Sequence, residues 1–461
     1  MQFDGDLAEI RFGAGLSPLL PPPASAADML ERLQETDVIA QRFPVSRFED
    51  VAAGVQEYRQ LRRARKEQQD AAGAEAAQQA FKSYRRAQNR LRFEWHGQRL
   101  LRMVHSRDGF RERLALFWAD HFTAQGKTGA WRHLAAPYAE SVIRPHVVGR
   151  FEDMLIAAAT SPLMLQYLDQ SRSSGPGSRA AARRKRLNGL NENLAREVLE
   201  LHTLGVDGPY SQADVRQLAE LFTGLSISKE ARFVFRPGMT EPGSEAVLGE
   251  TYGGGKPKLE QVLEVLRDLA RHPATARHLA RKLAVHFVSD TPETALVDHM
   301  AARYLESDGA LLAVYEALLE HPQAWAPELK NVKPPFDFVA SACRALAVPA
   351  ARIETFKPGQ KNRLLLAPLT PMGQRWEFSG GPDGWPEADA AWITPQALAA
   401  RLRWTMAAPR RLLQELPDPR DFAQNALGGY ANERVRFAAR AAETQAEGIG
   451  LILSSPAFQR R

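Results

Sequence analysis

Apolar positions along this chain recur mostly at intervals of three and four, the period of helices that bury one face. In FRERLALFWADHF, the residues Phe110, Leu114, Phe117 and His121 stand four, three and four apart, which predicts a core-facing stripe. A short helix is expected from Ala26, after a proline-rich lead-in at Pro18 to Pro23. From Val51 to Met103 an Ala-, Gln- and Arg-rich stretch has charge all around the wheel, and Gly73 interrupts it. It reads as a helical hairpin or two long surface helices. Helix pairs follow from Leu259 to Phe287 and from Pro292 to Leu319, then a helix around Ala340 and closing helices from Thr394 onward. A stretch rich in Gly and Pro, Arg236 to Lys258, has only FVF and AVLG nearby as strand-like runs, enough for a small hairpin. No fixed-period repeat is present; the His-Pro pairs at His272 and His321 mark helix boundaries. The expected fold is mainly α: a large multi-helix domain with long irregular loops and at most a minor β-hairpin. Residues 1–105 would form a lead-in and surface helices, 106–405 the core, and 406–461 C-terminal helices packed on it.

The segment NENLAREVLELHTLG concentrates polar residues beyond what a solvated helix needs. On a 3.6-residue wheel Glu192, Asn193, Arg196, Glu197 and Glu200 share an arc of about 140°, opposite Leu194, Val198, Leu199 and Leu201. His202 falls on the apolar side, so it is either hydrogen-bonded in a core or open to an internal cleft. Facing solvent, the strip would be two i,i+4 ion pairs of about 0.2 to 0.5 kcal/mol each. Facing a cleft, its carboxylates would have their proton affinities pushed apart, as acid and base roles require. Asn191 and Asn193 are poor helix formers and belong in a first turn only if one of them caps it or binds a ligand. The catalytic candidates are therefore Glu192, Glu197 and Glu200 as acid, base or metal ligands, Arg196 as anion clamp, and His121 or His202 as proton carrier.

Just beyond, Ser211 and Asp214 form a capping box ahead of the stripe Val215, Leu218, Ala219 and Phe222, which Gly224 ends. The same stretch half-matches a calcium loop through Asp207, Gly208, Tyr210, Ser211 and Asp214. Thr203 and Gly205 stand where its first carboxylates are needed, so no metal site is expected. GETYGGGKPK is not a phosphate loop, because Pro257 follows Lys256 where Ser or Thr should bind magnesium. Paired-His, paired-Cys and Ser-elbow motifs are also missing from the sequence, and no cofactor is implied. PMGQRWEFSGGPDGWPEADAAW offers Trp376, Trp385 and Trp392, which either pin a long loop or stack on sugar rings and other flat, partly apolar ligands.

Composition adds limits. The 461 residues, 44% hydrophobic and 25% charged, can bury a sizeable core. A formal charge of +6 is small for this length, and the basic runs Arg62 to Lys66 and Arg183 to Arg186 have no interleaved aromatics, so nucleic acid is not an expected partner. A single cysteine, Cys343, rules out an internal disulfide framework. The start MQFDGDLAEIRFG has acids where a secretory leader has Lys or Arg, and no run approaches a membrane span; a cytoplasmic location is the expectation.

Taken in order, RFGAGLSP, FWADHF, the Asn191 to Gly224 segment, HPATARHLARKLAVHFVSD, KNVKPPFDFVASACRAL and PMGQRW...GGPDGWPEADAAW resemble the bacterial family catalogued as domain of unknown function 1800. The resemblance implies a mainly helical protein, and a possible partner in a sulfatase-like companion family often encoded beside it and frequently exported. One motif departs: where the family often has His-Asp, then Gly and Lys before Leu-Gly, this chain has Thr240, Glu241 and Glu245. Two functions stay open: a hydrolase-like enzyme taking a small polar or anionic ligand, and a non-catalytic binding or assembly partner of another protein.

Overall fold

The computed structural model describes residues 3–67, 70–183 and 189–461. It is 65% helical, and the described residues contain only two small two-stranded sheets, as a mainly α chain requires. The long Ala- and Arg-rich stretch is a pair of packed helices, Phe48–Glu67 and Ala71–His105. Gly73 does not break it. The Asp70 carboxylate accepts from the Gly73 N–H, so this glycine lies in the first turn of the second helix. The expected pairs become Leu259–Arg271 with Pro273–Phe287 and Thr294–Glu306 with Leu311–Glu320. Two hairpins form rather than one: Leu225–Ile227 against Phe233–Phe235, and Ser244–Val247 against Glu250–Gly253. Their missed strands, LSI and ETYG, are too short to show a period of two. The basic run at Arg62 to Lys66 lies on the first long helix, mostly exposed. Residues 184–186 of the second run lie outside the described residues. No described helix is long and apolar enough to cross a membrane.

Two cores organise the packing. One joins Phe12, the stripe Phe110, Leu114 and Phe117, and the helices from 151 to 320; Phe110, Leu114 and Phe117 are all buried there, and so is His121. The other joins Leu100, Leu101 and Val104 at the end of the second long helix to Pro335–Ala345 and the helices from 395 to 454. Gly109–His121 runs along the seam, with Phe117 in the first core and Leu116 packed against the second.

Arg344 closes the seam. It is 1% exposed and donates to the main-chain oxygens of Gly15, Met103, Val104 and Ser106, while Nη2 lies 3.3 Å from the Glu9 carboxylate. Those carbonyls include the last turn of Ala71–His105, which has no helical partners for them. Replacing Arg344 by Met keeps the apolar stem but strands four carbonyls and a buried carboxylate, and should cost about 3 to 5 kcal/mol. The check is a thermal melt of Arg344→Met: a fall of several degrees is expected, and a melting temperature within one degree of wild type would show that the seam does not depend on this group.

Candidate functional site

Between the two cores lies a cavity of about 150 Å³. The last turn of Gly109–His121 supplies Phe117, Asp120 and His121; Pro273–Phe287 supplies Lys282 and His286; the loop before Pro335–Ala345 supplies Asn331 and Val332. The aromatic loop closes it with Trp376, Trp385 and Trp392. The sequence of that loop explains how. In Gly-Pro-Asp-Gly, Pro382 sets the turn, Gly381 bridges Gly384, and Gly384 adopts φ +81°. A Cβ on Gly384 would come within 2.8 Å of the Asp120 carboxylate, so only glycine lets the turn approach. The Trp385 N–H then donates to Asp120 Oδ1 at 3.0 Å.

Burial in the cavity wall pushes the Asp120 carboxyl up to about 7, reinforced by the charges of Glu387 and Asp383 and opposed by the Trp385 N–H and Lys282. Beside it, His121 is held well below the ordinary histidine value, first by burial and then by Lys282 and the neighbouring histidines. Its Nε2 lies 3.2 Å from the His202 carbonyl oxygen, which only accepts, so Nε2 has the proton and Nδ1 is bare. On the far side His286 Nε2 accepts from Arg113 at 2.9 Å. Burial and the cations Arg461 and Arg113 keep that ring neutral too. Asp337 ties Arg113, at 3.3 Å, to Arg461. Glu377, at φ +61° without being glycine, stands between Arg92 at 3.3 Å and Arg99 at 4.0 Å. A backbone held there stores on the order of 1 kcal/mol, and such strain gathers at ligand sites.

The polar strip has a different setting. Helix Asn193–Glu197 continues as a π-helical turn, Val198–His202. Arg196 is bridged to Glu192 at 3.3 Å, to Glu200 at 3.1 Å and to Gln212 at 3.0 Å, all partly exposed. Asn191 starts the helix: its side-chain oxygen accepts from the Asn193 N–H, while Asn193 itself is exposed. Glu197 is half-buried, and burial, with repulsion from Glu200 and Asp383, pushes its carboxyl up to about 7. None of these residues lines the cavity. His202 is the link, since the wide turn sends it inward, where its ring centre lies 6.1 Å from that of His121. Burial holds it at about 3. His121, Trp376 and Trp385 do line the cavity. The capping box of Ser211 and Asp214 is present, and Asp214 also accepts from the Leu248 N–H, so its carboxylate serves turns rather than an ion. Thr240 donates to the Pro237 carbonyl and Glu241 accepts from the Gly177 N–H. Glu245 is pushed up to about 7 by burial and its neighbours Glu220 and Glu241. The departing motif is thus outside the cavity wall.

Asp120, Lys282, His286 and Asp337 were not among the sequence candidates. The signal for two of them was present: Asp120 precedes His121, and Lys282 precedes His286 by one helical turn. Asp337 and Arg113 read as ordinary helix residues, because the contact between them spans more than two hundred positions.

No curated protein and no solved structure matches the chain. The family model described as protein of unknown function (DUF1800) matches residues 10–460, and the chain belongs to that family.

Proposed function

We propose that the protein is an enzyme, hydrolytic in kind, which acts on a small polar molecule in the cavity between the two cores. Asp120 carries the reading: a carboxyl in the wall of a cavity, with its proton affinity raised to about 7, is poised to give a proton to a departing oxygen at neutral pH. Glu387, paired with Lys282 at 2.9 Å, and Asp383 supply the negative charge that keeps this proton in place. His121 and His286 stay neutral and act as fixed hydrogen-bonding groups. Trp376, Trp385 and Trp392 narrow the access of water. Glu197 has a similar proton affinity but faces Arg196 and solvent, so it ranks behind Asp120. The other reading, an assembly partner of another protein, draws on Leu398, Leu402 and Met406, an exposed apolar edge of Pro395–Ala407. Nothing in the structure shows what covers that edge.

A panel of chromogenic esters, amides, glycosides and phosphates tests the enzyme reading. At least one class should be hydrolysed, with a rate that falls as pH rises through about 7. Asp120→Asn should lower kcat/KM by about 10²- to 10⁴-fold. A variant with full activity would remove Asp120 from the chemistry.

Stability gives a check that needs no substrate. Between about 3.9, the ordinary aspartate value, and about 7, the folded chain holds a proton on Asp120 that the unfolded chain has released. Stability from this group is therefore full below about 4 and lost as pH rises through about 7. Asp120→Asn cannot ionise, so its melting temperature relative to wild type should be higher at pH 8 than at pH 5. An equal difference at both pH values would mean that the carboxyl is not raised.

A further inference from the structure

The cations of the cavity wall are already engaged. Arg99 lies 4.0 Å from Glu377 and over the Trp376 ring at 4.9 Å, Lys282 lies 2.9 Å from Glu387, and Arg461 meets Asp337. An entering phosphate or carboxylate would have to break one of these pairs. Asp120 and Asp389 in turn accept from the main-chain N–H groups of Trp385 and Val332. What the wall leaves unmatched is neutral. Trp376 Nε1, Asn331 Oδ1 and His121 Nδ1 belong to residues at most 6% exposed and have no hydrogen-bond partner among the described residues. Each such group costs about 1 to 3 kcal/mol when left unmade. The first is a donor, the second an acceptor, and the third an acceptor because Nε2 holds the ring proton. Hydroxyl groups, which both donate and accept, match that mixture.

The shape agrees. A cavity of about 150 Å³ is large enough elsewhere to hold a six-membered ring. Trp376 has both faces covered, by Phe336 at a ring separation of 4.1 Å and by Arg99, so it offers only its edge. Trp385 is half-buried, anchored through its backbone to Asp120, and inclined at 54° to Trp392. Its ring is the wall's partly open apolar platform.

We infer that the cavity binds a neutral, hydroxyl-rich ring, a sugar unit, which lies on Trp385 and exchanges hydrogen bonds with Trp376, Asn331 and His121. This deepens the enzyme reading and rests on its assignment of the cavity as the substrate site. The test is titration of the whole protein with neutral oligosaccharides of two to six units, from gluco-, xylo-, manno- and chito-series. Inorganic phosphate, citrate and galacturonate serve as charged probes, read by tryptophan fluorescence and saturation-transfer NMR. At least one neutral series should give a saturable signal that Trp385→Ala weakens tenfold or more and Trp385→Phe partly restores, while the charged probes give none. The inference is overturned if no neutral sugar binds at tens of millimolar, if only a charged probe binds, or if sugar binding is the same in Trp385→Ala and Trp385→Phe as in wild type. Should Trp385→Ala fail to fold, the Phe variant alone decides, with a loss of threefold or more expected. Asp120→Asn separates the two readings: sugar binding without any Asp120-dependent hydrolysis would sink the enzyme and spare the sugar site. Asp120-dependent hydrolysis of a non-sugar, with no sugar bound, would do the reverse.

Discussion

Guanidinium groups that end on main-chain carbonyls hold this fold together. Many of its helices are short and joined by irregular loops, and every helix end leaves carbonyl oxygens without intrahelical partners. Arginine meets that need, since it presents five donors on a flat fork and has a stem that can cross a core. Arg344 gathers oxygens from three separate segments. Arg111 reaches those of Arg32, Leu33 and Glu35 just past the helix Ala26–Gln34. Arg11 takes Ala324 and Glu328, and Arg102 takes Phe43. Without this, each buried loop would carry unmet polar groups that no apolar packing could offset.

The cavity inherits its rigidity from the same device. Arg113 and Arg461 meet on Asp337, and Arg461 comes from a segment whose backbone also pairs with Asn331 and Lys333. Arg92 and Arg99 fix Glu377 in its left-handed conformation. The aromatic loop that follows is therefore pinned at its base and shaped by Gly384 at its tip, and that tip delivers a single N–H to Asp120. A carboxyl given one such partner inside an apolar wall keeps its proton more readily than one given several.

The helical class, the stripe through His121, the capping box and the paired helices of the middle region were legible because each rests on a local period or a local turn. The wheel drawn through Glu192 to His202 was right about the buried side of Leu194, Val198 and Leu199, and about His202. It could not register that the second half is a π-helical turn, which widens the spacing and swings His202 toward His121. The polar strip stood out in the sequence because its partners are four residues apart. The cavity did not, because Asp120, Lys282, Asp337 and Trp385 are brought together only by the packing of two cores.

The buried arginines also reshape what the outside of the molecule presents. The chain's isoelectric point is about 9.4, yet nine of its Lys and Arg side chains are buried against four buried carboxylates. Five of the six formal positive charges are thus enclosed, and the rest of the chain is close to electrically balanced. On an ion-exchange column the folded protein therefore resembles a nearly neutral particle rather than a strong base, and its basic character emerges only when it unfolds.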